Sequence, residues 1–292
     1  MKRKNLIICI CIVVIVICSY IYIMYEIKES KIDITKYSVT NEKIPDEFDN
    51  FKIVQLSDFH SNGYKNTTDV IIESIKDINP NIIVMTGDMI GCQENNIEEL
   101  EKLVNSLVYL YPMYYIDGNH EQLVELLDIK RYEAYIGWMK SLGITVLNNN
   151  YVEIKKNEVV INLYGINLPL DGATGLYATN LQIENNYVEK TLLTIDDEKF
   201  NILLAHTPLF IEQYSQWRAN LVLSGHMHGG IIRIPFIDVG VLSPEHKLFP
   251  NYDCGEFNYE DTTMIVNRGI GTSSFELRIF NNPEVSVITL KK

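Results

Sequence analysis

The chain has 292 residues, of which 47% are hydrophobic, and a formal net charge of −13. This length suits one large domain with a substantial core, and the hydrophobic content excludes an intrinsically disordered chain. The negative charge argues against a general nucleic-acid binder, so we expect no nucleic-acid partner. An anionic substrate would need local positive charge from another source, such as bound metal ions.

The N-terminal residues carry a topological pattern. Three basic residues at positions 2–4 precede an uncharged, apolar stretch over residues 5–25, and about 20 apolar residues are enough to span a bilayer as a helix. A cleaved signal peptide is the alternative, but the stretch ends in bulky residues such as Tyr25 rather than in small ones. We therefore predict a single-pass membrane anchor, with residues 1–4 in the cytoplasm and the following domain outside it.

After the anchor, the sequence alternates between predicted strands and helices. Residues 26–50 are predicted to form a polar linker with one strand at 34–39, which leads into a domain over residues 51–292. Helices are predicted at 67–78, 97–108 and 121–142. Strands are predicted at 51–56, 81–85, 113–116, 152–154, 159–164, 201–205, 221–224, 263–267, 277–280 and 285–290. This alternation indicates an α/β domain with a mainly parallel core sheet.

Residues that can bind metal ions follow five of these strands. In a parallel sheet the carboxyl ends of the strands meet at one edge, where ligand sites form. Five of the six histidines lie at these positions, and imidazole with carboxylate is a common ligand combination for divalent ions. The residues are Asp58, His60, Asp88, Asn119, His120, His206, His226 and His228.

Each motif alone has an ordinary structural explanation, such as a loop cap, a turn or a helix N-cap. His226-Met227-His228 between glycines is the most specific motif, because structural reasons seldom place two histidines there. In Asp58-Phe59-His60 we expect an extended chain, in which alternate side chains point the same way and reach one ion. Taken together, in this order and each at a strand end, the motifs predict a metal centre.

The motif order D-x-H, G-D, G-N-H-[DE], H and G-H-x-H resembles the calcineurin-like metallophosphoesterase superfamily. Residues 52–58, 224–230 and 267–273, together with Arg278, resemble its YkuE-type subgroup of exported or membrane-associated enzymes. That subgroup includes phosphodiesterases and enzymes that cleave the pyrophosphate of UDP-diacylglucosamine. The resemblance covers residues 31–292 and implies an αββα fold, in which a β-sandwich is flanked by helices.

The resemblance also implies two divalent metal ions, Mn, Fe or Zn, with Asp88 bridging them. His120 would face the scissile phosphate and assist the leaving oxygen rather than bind metal. Glu121 stands where an aspartate is commoner, a change that we expect to be tolerated. The first ion would be held by Asp58, His60, Asp88 and His228, and the second by Asp88, Asn119, His206 and His226.

The implied reaction is hydrolysis of a phosphodiester or pyrophosphate by in-line attack of a hydroxide that both ions share. A phosphomonoesterase with the same core and an inactive, membrane-anchored binding protein are the alternatives. The predicted anchor leads us to expect a lipid-linked or envelope-derived phosphoester. The apolar run over residues 231–242 is either a cover for the core or an apolar lip beside the metals.

Overall fold

The computed structural model describes the chain except residues 1, 28–30, 65–66, 95, 171–183, 185, 193–194, 235, 238 and 273–277. Helix α1 spans Lys2–Ile27, and nearly all of its described apolar side chains are exposed. Among the described residues, no helix combines enough length with enough apolar character to cross a membrane. The transmembrane span predicted over residues 5–25 is therefore not confirmed.

The first large sheet contains six strands, numbered here in chain order along the whole molecule. They are β1 (Asp33–Thr40), β2 (Lys52–Leu56), β3 (Ile82–Met85), β4 (Met113–Tyr115), β5 (Thr145–Val146) and β14 (Glu284–Lys291). Their order across the sheet is β1–β14–β2–β3–β4–β5. Only the pair of β14 with β2 is antiparallel, so the carboxyl ends of β2, β3 and β4 share one edge.

The second large sheet is also six-stranded and mainly parallel. Its strands are β6 (Asn150–Lys156), β7 (Val159–Ile166), β8 (Asn201–Ala205), β9 (Leu221–Ser224), β12 (Gly255–Tyr259) and β13 (Thr262–Val266), in the order β12–β13–β9–β8–β7–β6. The four central strands are parallel, and the outer strands β12 and β6 are antiparallel to their neighbours. A small hairpin joins β10 (Arg233–Ile234) to β11 (Val239–Gly240).

In the part of the chain that the structure describes, six further α-helices flank the two sheets. They are α2 (Thr68–Ile78), α3 (Glu98–Leu107), α4 (Asn119–Leu127), α5 (Ile129–Ser141), α6 (Tyr187–Leu192) and α7 (Ile211–Gln216), and short 3-10 turns lie at Asp46–Phe48 and His228–Gly230.

Side-chain alternation along the strands produces four layers. In β2, Val54 and Leu56 pack with residues of α2, α3 and α5, whereas Ile53 points into the space between the sheets. In β8, Leu204 faces the same space, and Leu203 packs with residues of α6 and α7. Because strand side chains alternate between faces, each sheet buries one face against the other sheet and one against helices. The predicted α/β class and αββα layering are confirmed.

Two predicted elements differ from the structure. The helix predicted over residues 121–142 is two helices, because Asp128 has φ −145° and ψ 76°, outside the helical region. The Asp128 carboxylate accepts a hydrogen bond from the Arg131 backbone N–H at 3.2 Å, so it caps α5. In the strand predicted at 277–280, Leu277 lies outside the described residues, and Ile279 forms an isolated parallel bridge with Ile232.

Candidate metal centre

The eight predicted site residues all follow carboxyl ends of parallel strands, in both sheets. Those after β2, β3 and β4 come from the first sheet, and those after β8 and β9 come from the second. The two sheets are tied together at this edge, since Gln55 Nε2 donates to the Ser224 carbonyl at 2.8 Å. The backbone N–H of His226 donates to both Asp58 carboxylate oxygens, at 3.1 and 3.0 Å. The structure thus brings the two halves of the predicted site together.

Side chains that could hold metal ions form groups whose ligand atoms lie within 4.8 Å of one another. The groups are Asp58, His60 and His228; Asp88, His206 and His226; and His60, Asp88 and His120. The first two groups each contain three of the four ligands implied for one ion. Asn119, the fourth ligand implied for the second ion, is buried at the start of α4.

Hydrogen bonds fix the orientation of His206. Its Nδ1 lies 2.7 Å from the Thr86 carbonyl oxygen, which can only accept, so Nδ1 carries a hydrogen. The other nitrogen, Nε2, lies 3.3 Å from Asp88 Oδ2. Burial lowers the pKa of His206, but the Asp88 carboxylate outweighs burial and raises that pKa to about 10. In the metal-free chain Nε2 is therefore protonated at neutral pH, and a metal ion must displace this proton.

The Asp58 group has the electrostatics of a cation site. Nε2 of His60 and Nε2 of His228 lie 3.0 Å apart, and Nε2 of His228 lies 3.4 Å from Asp58 Oδ1. Burial, reinforced by the charge of His120, lowers the pKa of His60 to about 3, and burial also lowers the pKa of His228. Neutral imidazole nitrogens this close to each other and to a buried carboxylate suit a shared divalent ion.

His120 is placed differently from the other histidines of the cluster. Its side chain is 22% exposed, whereas the carboxylate of Asp88 beside it is buried. The backbone N–H of Cys92 donates to His120 Nδ1 at 3.1 Å, so Nε2 is the nitrogen that carries a hydrogen in the neutral ring. Burial lowers the pKa of His120, whereas the Asp88 carboxylate, 3.9 Å from Nε2, raises it and so favours the hydrogen on that nitrogen. This histidine can therefore present a proton at Nε2 at neutral pH.

The backbone at the centre differs from the sequence prediction. We expected an extended chain at Asp58 and His60, but their φ values are +51° and +49°. Asp88, His226 and His228 also have positive φ, at 52°, 68° and 49°. Such left-handed conformations cost about 1–3 kcal/mol each and gather at functional sites. The side chains of Asp58 and His60 converge through a left-handed turn, not through strand alternation.

Two acidic residues support the centre in ways that the sequence did not predict. The buried carboxylate of Glu121 accepts hydrogen bonds from four backbone N–H groups, those of Asp88, Met89, Ile90 and Gly118, at 2.7–3.0 Å. Burial and the charge of Asp88 raise the pKa of Glu121 to about 7, although hydrogen bonds from the backbone act to lower it. The second acidic residue is Glu245, whose Oε1 lies 2.9 Å from Nε2 of His226. Its only sequence signal was an isolated acid in an apolar segment.

The apolar run over residues 231–242 is buried at some positions and exposed at others. Ile231 is buried, and Arg233 is buried with its guanidinium 3.0 Å from the Asp253 carboxylate. Phe236 and Ile237, in contrast, are exposed. Pro235 and Asp238 lie outside the described residues. Part of the run therefore covers the interior, and its tip faces outward.

Comparison with known proteins identifies the family to which the chain belongs. The model of the calcineurin-like phosphoesterase family matches residues 51–230, more than half of the chain. The chain therefore belongs to this family of metallophosphoesterases. It is 31% identical to the uncharacterized metallophosphoesterase YkuE of Bacillus subtilis (strain 168) over 280 residues, which cover 93% of this chain and 90% of that protein. The YkuE-type resemblance seen in the sequence is confirmed.

Two further similarities are more distant. The uncharacterized metallophosphoesterase Cj0846 of Campylobacter jejuni subsp. jejuni serotype O:2 is 27% identical over 297 residues, covering 99% of this chain and 72% of that protein. Among solved structures, phosphopantetheinyl hydrolase (PptH) from Mycobacterium tuberculosis has a TM-score of 0.43 at 12% identity, covering 74% of this chain and 88% of that chain.

Family membership and the cluster of buried ligand atoms agree on the chemistry. The chain is a phosphoester hydrolase, and enzymes of this family use two divalent metal ions. The donor set fits such ions, because it combines buried carboxylates with imidazoles and contains no thiolate.

Proposed function

We propose that the chain hydrolyses a phosphodiester or a pyrophosphate, with Mn as the first ion to test, and that the preferred substrate carries an apolar group. The observation that carries this proposal is the pairing of two adjacent ligand groups with one partly exposed, proton-bearing histidine, His120. Bound divalent ions supply Lewis-acid activation of water and neutralise charge on the phosphoryl oxygens.

The protein's own residues have separate roles in this proposal. Asp58, His60 and His228 would hold one ion, and Asp88, His206 and His226 would hold the other. His120 would donate a hydrogen bond from Nε2–H to the leaving oxygen and stabilise the charge that develops there, a contribution of about 10²–10³-fold in rate. Asn119, at the start of α4, completes the second group.

Exposed apolar side chains beside the centre support an apolar substrate. A cavity of about 470 Å³ is lined by residues that include Leu209, Phe210, Met227, Leu248 and Phe249, and it reaches Glu245. Since Met227 separates the two histidines of the motif, this cavity adjoins the centre. Leu248 and Phe249 are exposed, as are the tip residues of the run over 231–242. An acyl chain next to the scissile phosphate would cover such surfaces.

We also propose that the enzyme acts outside the cytoplasm at the membrane. The support is the three basic residues at positions 2–4, the apolar sequence over residues 5–25 and the exposed apolar side chains of α1. A protease added to intact cells should digest the domain. Protection of the domain in intact cells, with digestion only after lysis, would contradict this location.

A rate screen tests the substrate class. The full chain, purified in detergent and loaded with Mn²⁺, is assayed with a diester, a monoester and a pyrophosphate model substrate. We expect the diester or the pyrophosphate to be cleaved fastest. A clear preference for the monoester would make the protein a phosphomonoesterase with the same metal core.

A second comparison tests the apolar group. We expect a lipid-linked phosphoester to be cleaved faster than its water-soluble head group, and Phe236→Asp and Ile237→Asp to reduce that advantage. Tyr109→Asp is the control, because Tyr109 is also an exposed apolar residue but precedes β4, at the opposite edge of the sheet. Equal rates on both substrates in all variants would favour a soluble phosphoester.

A further inference from the structure

We propose that Glu245 is a positioning residue of the metal centre, which fixes the tautomer and orientation of His226 for binding an ion. The inference rests on the proposed function in one respect, that His226 is a metal ligand. Glu245 belongs to none of the motifs that define the family resemblance.

The contact between the two side chains is short and shielded from solvent. Oε1 of Glu245 lies 2.9 Å from Nε2 of His226, and both side chains are only 2% exposed. An ionised carboxylate accepts, so Nε2 carries the hydrogen and Nδ1 carries the lone pair. A carboxylate on the far nitrogen of a ligating imidazole fixes its rotation and raises its basicity. The nitrogen of His226 left for an ion is therefore Nδ1.

The charge of Glu245 needs a nearby cation. Its second oxygen, Oε2, is buried and has no hydrogen-bond partner among the described residues. Glu245 is also outside the three groups of ligand atoms that lie within 4.8 Å of one another, so it supports the centre without joining it. A buried carboxylate is costly unless opposite charge balances it. An ion bound to Nδ1 of His226 would supply this opposite, positive charge, separated from Glu245 only by the imidazole ring.

The loop that carries Glu245 is held in place. The turn closes through a hydrogen bond from the Ser243 backbone N–H to the Lys247 carbonyl oxygen at 2.9 Å. Strand β11, which leads into this loop, lies against the glycines that follow the histidine motif, since a Cβ on Gly230 would lie 2.5 Å from Cα of Gly240. This close approach requires glycine, and it brings the loop of Glu245 against the chain segment of His226.

Metal binding tests the inference without an activity assay. The full chain is freed of metal and titrated with Mn²⁺ by calorimetry, and stoichiometry is checked by elemental analysis. Glu245→Met, which keeps the side-chain volume but has no carboxylate, should weaken one of the two sites by about 10–100-fold and leave the other unchanged. Glu245→Gln keeps an acceptor oxygen and should recover most of the affinity. Lys247→Ala, in the same turn, is the control.

Each outcome separates the inference from the proposed function. Two sites of unchanged affinity in Glu245→Met would overturn the positioning role while leaving two-metal hydrolysis intact. A wild-type chain that binds no ion would overturn the proposed function itself. If Glu245→Met does not fold, Glu245→Gln decides by the same titration: a site weakened by a few-fold supports the role, and unchanged affinity overturns it.

Discussion

The backbone N–H of Cys92 donates to Nδ1 of His120 at 3.1 Å and so determines which nitrogen of this histidine carries a hydrogen. The loop that presents this N–H is held by one side chain. The Arg131 guanidinium donates to the carbonyl oxygens of Gly91 and Cys92, each at 2.8 Å, and to that of Glu94. Arg131 thus acts on His120 through the loop, from the first turn of α5.

Arg131→Ala should therefore lower kcat by about tenfold, in the range seen when supporting hydrogen bonds are removed from a site. Metal content should not change, because Arg131 contacts no proposed ligand. Steady-state kinetics with elemental analysis measures both quantities. Lys130→Ala, the neighbouring exposed residue, is the control, and equal kcat values for the two variants would show that the loop does not depend on Arg131.

Metal binding and proton donation can be separated by mutation. Asp88→Ala should lose bound metal as well as turnover, because Asp88 belongs to two of the three ligand groups. His120→Ala should keep most of its metal and lose about 10²–10³-fold in kcat, as expected when a hydrogen bond to the developing charge is removed. Elemental analysis of both variants, purified in parallel, provides the measurement. The same metal content in both would refute the division of roles.

Metal binding should release protons at neutral pH. Asp88 raises the pKa of His206 to about 10 in the metal-free chain, so His206 is protonated at pH 7 and must lose this proton to bind an ion. The apparent affinity should consequently rise with pH up to about 10. Calorimetry at pH 7 in buffers of different ionisation enthalpy counts the protons released. Heats that do not depend on the buffer would contradict this protonation state.

Glu121 should matter for stability more than for metal binding. Glu121→Gln replaces one acceptor oxygen by an NH₂ group, so it leaves up to two backbone N–H groups unpaired, at roughly 1–3 kcal/mol each. The raised pKa of Glu121 means that its ionised form opposes folding at pH 8, and the substitution also removes that cost. Urea unfolding of the metal-free chain at pH 8 should therefore show only the part of this loss that exceeds the cost of the buried charge. Glu125→Gln, an exposed residue on the same helix, should have little effect. If both variants unfold at the same urea concentration, the four hydrogen bonds contribute nothing net.

Local sequence patterns predicted most of the fold. The strands at 201–205 and 221–224 have the predicted bounds, because each is a short apolar run buried on both faces. Helix α2 shows an apolar face at Ile71 and Ile75, a spacing that only a helix buries. Helix α7 and strand β12 were not predicted, since α7 has six residues and β12 has side chains that are half-buried or exposed. Their structure depends on tertiary packing, which a local pattern does not record.

The site was predictable where it depends on strand order and not where it depends on loops. The eight motif residues could be found because parallel strands bring their carboxyl ends to one edge. The left-handed backbone of Asp58 and His60 could not be predicted, because it follows from contacts between loops, such as the His60 N–H with the Asp88 carbonyl at 3.0 Å. Glu245 was missed for the same reason, since 19 residues separate it from His226.

The proposed metal ligands come from both sheets of the sandwich, and this has a consequence for the lifetime of the protein. Asp88 follows a strand of the first sheet, whereas His206 and His226 follow strands of the second. An ion bound among them cross-links the two sheets at one edge, and a ligand present at 100 times its Kd stabilises a fold by about 2.7 kcal/mol. Cells short of metal would hold an enzyme that is both inactive and easier to unfold, so its abundance would follow the metal supply.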